Sequence, residues 1–360
     1  MTQRAIALLG RKDEPTDAVE EYCRYLSAAL QPHDIQLEIR RVPWDTRGWS
    51  EALRGLRLQA AAWRGTWVLV QYTALAWSER GFPQKFFRPL KVLKAAGARV
   101  AVVFHDVEPY SGTRVVDALR RAIQVRTMRR ALKVADLAVF TIPPEKISWR
   151  PAPDAHVTFV PVGPNLPIPT ELPARFAQIE VPTIGVFSIT GGEAGARETQ
   201  LIVQSVRHAS QQLGRLRLSV FGRHAELREQ DLRNGLRDLP VELTVEGVLS
   251  PAEVVERLTG CDVLLFVRGA ISSRRGSALA GIACGVPVIA YTGSETAQPI
   301  TEAGVVLVSP LVPDGLPNAL ARALSDPELR ASLRLKNSTV YAEHFSWQAI
   351  ATRFAALLRR

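Results

Sequence analysis

CDVLLFVRGAISSRRGSALAGIACGVPVIA, running from Cys261 to Ala290, reads as strand, loop, helix and strand. Val263–Phe266 is a continuous apolar run of the kind that a strand covered on both faces requires. From Gly276 to Ser294 no charge occurs for 19 residues. A membrane-spanning helix needs about 20 predominantly apolar residues, but Gly285-Val286-Pro287 cuts this stretch, and Ser277, Thr292 and Gly293 dilute it. The segment therefore reads as a short buried helix near Ala278–Ala283 and a buried strand, Val286–Ala290. Buried strands alternating with helices imply a parallel sheet with crossover connections.

The same alternation extends outward in both directions. Towards the N-terminus of this half lie strands Thr183–Phe187, Leu216–Phe221 and Glu242–Glu246, with helices Thr199–Leu213 and Ala252–Thr259. Beyond it come strand Val305–Val308 and helices Leu316–Leu324, Pro327–Glu343 and Trp347–Leu358. The first half repeats the pattern: strands Ala5–Leu9, Ile35–Val42, Trp67–Val70, Val100–Phe104, Leu137–Thr141 and Val157–Val160, with helices that include Val19–Leu30, Phe86–Ala96 and Ala118–Val134. Between the halves the pattern weakens, and Pro161, Pro164, Pro167, Pro169, Pro173 and Pro182 mark a linker. The expected organisation is an α/β protein of two doubly wound, Rossmann-like domains facing a central cleft. The N-terminal domain spans 1–165, the linker 166–182 and the C-terminal domain 183–345; a last helix, 346–360, is expected to pack back on the first domain. A length of 360 residues suits two such domains.

Composition narrows the partners. With 47% hydrophobic and 22% charged residues the chain is globular. Cys23, Cys261 and Cys284 form no C-x-x-C pair, so a reducing cytoplasm is expected, and six His without Cys or carboxylate at ligand spacing argue against structural zinc. Ile6–Leu9 is a short apolar run followed by Arg11, Lys12 and Asp13, which does not read as a secretory signal. The net charge of +10 is uneven: residues 1–170 carry +9, and residues 51–133 hold 16 Lys and Arg against 5 Asp and Glu. A basic first half suits an anionic membrane surface or a polyanionic substrate, and equally a solvated surface. Arg126, Arg129, Arg130 and Lys133, at i, i+3, i+4 and i+7, form one basic helical face open to the same two readings. No motif or interleaved aromatic platform for nucleic acid accompanies this charge, and none is expected as a partner.

In doubly wound sheets ligands bind at the carboxyl ends of strands. After Val263–Phe266 the loop Val267–Ser277 carries Arg268, Arg274 and Arg275 with Ser272, Ser273, Ser277, Gly269 and Gly276, directly before an apolar helix. Free amides at a helix N-terminus, serine hydroxyls and bidentate guanidiniums together favour phosphate. After Thr183–Phe187, the segment with Gly191 and Gly192 matches neither the dinucleotide fingerprint nor the P-loop, and places Arg197 at the start of the next helix. Gly222-Arg223-His224 follows another strand. In the first half His105 ends a buried strand beside Asp106, where it can meet a sugar hydroxyl or move a proton. The loop Gly10 to Asp17 is its counterpart.

With these residues in place, the chain resembles the GT-B glycosyltransferases, and in particular the retaining family four. Glu246-Gly247-Val248-Leu249-Ser250-Pro251 is similar to the segment before the family's donor site, and Cys261–Phe266 to its "ADVFV" strand. Ala283-Cys284-Gly285-Val286-Pro287-Val288-Ile289-Ala290 is similar to "ACGxPVIA", and Asp326–Arg330 and His344-Phe345-Ser346-Trp347 to its closing helices. Phe104-His105-Asp106 resembles the strand-end histidine, and Val160–Asn165 the crossover between domains.

The resemblance implies a metal-independent, retaining hexosyltransferase that moves a sugar from a UDP- or GDP-sugar to an acceptor, without a further cofactor. The acceptor is expected to be a glycan or lipid-linked glycan of polysaccharide biosynthesis, at the cytoplasmic face of a membrane that the protein contacts peripherally. His105 is the implied catalytic residue. Gly191, Gly192, Arg197, Arg268, Ser272, Ser273, Arg274, Arg275, Gly276 and Ser277 would hold the diphosphate; Gly222, Arg223 and Val248 the nucleotide; Gly10, Thr16, Asp17 and Asp106 the acceptor or sugar side. Two departures stand out. The family's Glu-x7-Glu carboxylates fall at Ser272 and Ala280, and its first-domain Gly-Gly at Thr16-Asp17. The missing glutamates leave open a non-catalytic nucleotide-sugar-binding protein of the same fold, and a nucleotide-sugar epimerase is a further alternative.

Overall fold

The structure is a computed structural model that describes residues 2–14, 16–149, 156–169 and 181–360. The linker expected at 166–182 falls mostly outside the described residues, which omit 170–180. The chain divides into two compact units, one running to Val162 and completed by Trp347–Arg360, the other Gly163–Ser346.

The first unit contains β1 (Gln3–Leu9), α1 (Ala18–Leu30), β2 (Ile35–Arg41), α2 (Trp44–Ala60), β3 (Trp67–Tyr72), α3 (Phe87–Ala95), β4 (Arg99–Phe104), α4 (Val115–Val134), β5 (Leu137–Phe140) and β6 (Val157–Phe159). The second contains β7 (Thr183–Phe187), α5 (Gly192–Leu213), β8 (Leu216–Phe221), α6 (Glu229–Leu236), β9 (Val241–Glu246), α7 (Pro251–Thr259), β10 (Val263–Ala270), α8 (Gly276–Ala283), β11 (Val288–Tyr291), β12 (Val305–Val308), α9 (Gly315–Ser325) and α10 (Pro327–Val340). A final helix, α11 (Trp347–Leu358), belongs to the first unit.

Each unit is built on a six-stranded sheet, ordered β2-β1-β3-β4-β5-β6 and β12-β11-β10-β7-β8-β9. All strand pairs are parallel. The two doubly wound sheets expected from the alternation are therefore present. In each, the winding reverses beside the first strand, between β1 and β3 and between β7 and β10. The carboxyl ends of the strands that flank these reversals make the natural crevice for a ligand.

Residues along the first sheet alternate between two cores, as the two-residue period of a strand dictates. Ile6, Leu8, Val68, Val70, Val100 and Val102 face α2, α3 and α4. Ala5, Ala7, Leu69, Ala101 and Val103 face α1 and α11. In α11 the stripe Ile350, Phe354 and Leu358 is buried, and Trp347 stacks on Tyr25 with ring centroids 5.4 Å apart. The Leu358 carbonyl accepts from Gln3 Nε2 and from Trp67 Nε1, each at 2.8 Å.

Several boundaries differ from those read in the sequence, each for a local reason. Helix α5 starts at Gly192, not Thr199, because Gly195 allows its first turn to lie against the Thr190 carbonyl: a Cβ there would sit 1.9 Å from that oxygen. Strand β10 continues to Ala270 through a bulge between Phe266 and Ala270 that rejoins β11 at Tyr291. Strand β11 begins at Val288, after Pro287, which has no N–H to give to a ladder. The basic face of α4 is partly spent within the fold, since Arg129 donates to the Trp149 carbonyl and Arg130 lies 4.3 Å from the Phe87 ring centre.

All seven tryptophans belong to the first unit, so their fluorescence follows that unit alone. Phe354→Ala is expected to lower its stability by about 3–5 kcal/mol, the usual cost of emptying a buried aromatic site. Urea unfolding read by tryptophan fluorescence checks this, and circular dichroism should show a separate transition of the second unit left in place.

Candidate functional site

In the second unit the carboxyl ends of β7 and β10 deliver two loops to the reversal point. The β7 loop is tied to the β8 loop by Ser188 N donating to Phe221 O (2.7 Å) and Ile189 N to Arg223 O (3.0 Å). Ser188 and His224 both adopt left-handed backbone, with φ of 69° and 62°. Non-glycine residues hold that conformation at a cost, and such strain concentrates at binding sites. Helix α5 starts at Gly191-Gly192 without a side-chain cap. A Cβ at Gly192 would meet nothing within 4 Å, whereas one at Gly191 would lie 3.5 Å from His224 Nε2.

Helix α8 likewise lacks a side-chain cap, which leaves the first-turn N–H groups of Gly276 and Ser277 for a ligand or solvent. Two guanidiniums accompany it. Arg268 lies on β10 at the bulge, not in the loop after it, and Arg275 occupies the residue before α8. The Nε of each is buried and has no hydrogen-bond partner among the described residues. Burial pushes both pKa values down. Arg274 adds to the effect at Arg275 and Arg223 at Arg268, while Glu198 opposes it at both. Arginine nevertheless remains a cation at neutral pH. An uncompensated buried charge costs several kcal/mol unless something pairs with it, and free amides at a helix N-terminus favour the same sign of ligand.

The neighbouring cation is already paired. Arg274 donates to both oxygens of Glu295, at 2.8 and 2.5 Å, and Ser272 Oγ donates to Glu295 Oε2 at 3.0 Å. Burial works against ionisation of Glu295, but Arg274 and Ser272 outweigh it and hold its pKa below the usual carboxylate range. Thr296 Oγ1 donates to the Ile271 carbonyl at 2.7 Å, which pins the Glu295 loop to the Arg274 loop. Glu295 was not among the candidates from sequence, since it lies 21 residues from Arg274 and carries no motif. A carboxylate thus reaches Ser272, the position where the resembled motif has its first glutamate, from another part of the chain. Ala280 is buried and apolar.

The remaining candidates of this unit are more scattered. Ser273 is buried. Arg197 lies in the second turn of α5, not at its start; its side chain is 72% exposed, with only Glu193 at 3.9 Å. Gly222 and Arg223 follow β8, and Val248 follows β9, at the same edge of the sheet; Val248 is exposed.

In the first unit a cavity of about 220 Å³ opens at the carboxyl ends of β1 and β3, lined by Gly10, Asp17, Gln71 and Asp106 among others. Gly10 lies against the Ala76 carbonyl, which a Cβ would approach to 2.2 Å. Asp17 is committed to structure: Oδ1 caps α1 by accepting from Val19 N and Glu20 N, and Oδ2 accepts from Arg41 at 3.0 Å. Asp106 accepts from Ala74 N at 2.8 Å. Thr16 precedes the cap and is partly exposed.

His105 follows β4. Its Nε2 lies 2.8 Å from Gln71 Oε1, while the Gln71 amide nitrogen donates to the Leu69 carbonyl at 3.1 Å. This chain fixes the tautomer: the Gln71 oxygen must accept, so Nε2 carries the proton and Nδ1 the lone pair. Burial lowers the His105 pKa to about 4, against a small opposing influence of Asp17. The ring is therefore a neutral hydrogen-bonding group near pH 7. Gln71 was also missed in the sequence, where nothing distinguishes it from an ordinary strand residue.

No family profile matches the sequence, and no curated protein matches it. Solved structures do. A glycosyltransferase from Rickettsia africae is similar over 99% of this chain and 98% of its own, with a TM-score of 0.70 at 12% identity. Sucrose-phosphate synthase from Thermosynechococcus elongatus matches with a TM-score of 0.67 at 17% identity, over 99% and 98%. Anabaena HepE in complex with UDP and glucose matches with 0.64 at 13% identity, over 99% of each chain. The fold is that of the GT-B glycosyltransferases.

Because Arg268 and Arg275 are partly buried, with Nε atoms that lack a partner among the described residues, Arg275→Met should leave the ligand-free second unit at least as stable as before, by up to about 2 kcal/mol; thermal melting followed by circular dichroism measures this. At His105 the folded pKa lies below the unfolded one. Its contribution to stability is present above pH 6.5 and is lost as pH falls through about 4. Urea unfolding at pH 7.5 and pH 5 should show a smaller loss for His105→Asn than for the unaltered protein.

Proposed function

We propose that this protein is a glycosyltransferase that takes a sugar from a nucleoside-diphosphate sugar, UDP- or GDP-linked, and passes it with retention to a glycan or lipid-linked glycan. The observation that carries this reading is the pair of buried, unpartnered guanidinium nitrogens of Arg268 and Arg275 beside the uncapped start of α8. The GT-B fold supports it, as do the UDP and UDP-glucose named in the HepE complexes.

In the reaction, the bond between the anomeric carbon and the diphosphate oxygen breaks while the acceptor hydroxyl forms the new one. Negative charge gathers on the departing diphosphate, which can take up the hydroxyl proton. Arg268, Arg275 and the amides of Gly276 and Ser277 are already oriented before that charge develops, which is how an active site lowers a barrier without reorganising. Glu295 acts as a positioning residue that holds Arg274 and Ser272. His105 accepts a hydrogen bond from a sugar hydroxyl at Nδ1, its Nε2–H being fixed by Gln71. Arg223, Gly222 and Val248 form the side on which the nucleoside rests. The basic first unit receives the acceptor near an anionic membrane, and the three free, buried cysteines suit a cytoplasmic setting.

One observation favours a second reading, a nucleotide-sugar-binding protein without turnover: Ser272 and Ala280 supply no carboxylate of their own. Thermal melting with UDP, GDP and their sugars tests the donor site first. A ligand at about 100 times its dissociation constant should stabilise the second unit by about 2.7 kcal/mol, and Arg275→Met should remove that gain. No stabilisation by any nucleotide would overturn the proposal. Stabilisation without acceptor-dependent release of free nucleotide would select the second reading.

A further inference from the structure

The first unit has a second concave feature on another face of the fold. A groove of about 580 Å³ runs between α2 and α3, lined by Ser50, Leu53, Arg54 and Arg57 from one helix and by Arg88, Lys91, Val92 and Ala95 from the other. Both sets repeat at i, i+3, i+4 and i+7, so each helix turns one continuous stripe to the groove. Leu53 and Val92 are buried and form an apolar floor, whereas the four cations are exposed along its sides.

These cations have no internal counter-charge. None of the four makes a hydrogen bond or ion pair through its side chain with a described residue, and no carboxylate lines the groove. The chain carries no acidic residue from Ala52 to Ser78 or from Arg80 to His105. Several arginines elsewhere in this unit do have a carboxylate partner: Arg4 and Arg40 with Glu38, Arg24 with Glu20, Arg41 with Asp17, and Arg120 with Asp117. Like charges three residues apart on one helix repel, and here two helices place such pairs around one concavity. The excess of 16 basic over 5 acidic residues in 51–133 thus has a definite location.

We propose that the α2/α3 groove binds an organic ligand bearing more than one phosphate, with its anionic groups on Arg54, Arg57, Arg88 and Lys91 and its carbon skeleton on Leu53, Val92 and Ala95. Guanidiniums grip phosphate bidentately, and the volume lies within the range of small-molecule sites. The groove shares no residue with the cavity at the strand ends, and the inference does not rest on the transferase reading. The same chemistry can come from a soluble polyphosphate or from lipid headgroups.

The test uses the full chain carrying Arg275→Met, which removes one of the second unit's two unpartnered guanidiniums; the rest of that site is common to every variant compared, so differences between variants do not arise from it. Two probes are titrated at low ionic strength: tripolyphosphate by calorimetry, and phosphatidylglycerol vesicles by sedimentation. R57Q/R88Q should weaken at least one probe by about tenfold, while R126Q/K133Q, which removes two charges from α4, should weaken it by less than about threefold if only general surface charge is lost there. The affected probe identifies the source. Tryptophan fluorescence melting verifies that both variants are folded. Equal weakening by the two variants, no weakening by R57Q/R88Q, or no binding of either probe to the parent protein would overturn the inference.

Discussion

Two partly buried guanidiniums, whose Nε atoms are shielded from solvent without a hydrogen-bond partner among the described residues, dominate the second unit. Glu198 stands within electrostatic reach of both Arg268 and Arg275, but one of its oxygens is occupied by Thr190 N at 2.7 Å. Glu295, the other nearby carboxylate, is held by Arg274 and Ser272. The geometry therefore separates a directly paired arginine, Arg274, from two that feel Glu198 and, at Arg275, Glu295 only through space. Maintaining that separation needs a stiff frame, and the bulge in β10, the Ile271–Tyr291 bond and the Thr296–Ile271 bond supply it.

The first unit solves a different problem. Its strand-end cavity is lined by the polar side chains of Gln71 and Thr73, by Asp17 and Asp106, which are engaged in capping, ion pairing and a backbone contact, and at its rim by Arg11, Lys12 and Asp13. His105 keeps its proton on one nitrogen because a glutamine amide, itself oriented by a backbone carbonyl, leaves no choice. The direction of each hydrogen bond at this pair is therefore fixed by the fold.

Much of this was legible in the sequence, for reasons of period and punctuation. Buried parallel strands are apolar throughout, and Gly285-Val286-Pro287 separates helix from strand, so the alternation exposes the doubly wound architecture. The arginine-serine loop stands out because charge abruptly interrupts an apolar stretch. What escaped was set by contacts distant along the chain. Whether Arg197 faces the site or solvent depends on where α5 begins, and that depends on the fit of Gly195 against Thr190. Arg268 reads as a loop residue because a bulge leaves no mark in composition. Glu295 and Gln71 belong to the site through partners tens of residues away, and no local pattern announces either.

The return of α11 to the first unit makes that unit discontinuous in the chain. Its hydrophobic face toward α1 lacks Trp347, Ile350 and Phe354, and the Leu358 carbonyl lacks its bonds to Gln3 and Trp67, until the 184 intervening residues, Gly163 to Ser346, have been made. Chains generally fold from the N-terminus during synthesis, but here the order is inverted. The second unit is complete in sequence while the first, although begun earlier, still exposes apolar surface on one side of its sheet. The apolar face of the first sheet thus waits, uncovered, for a segment that follows the whole second unit in the chain.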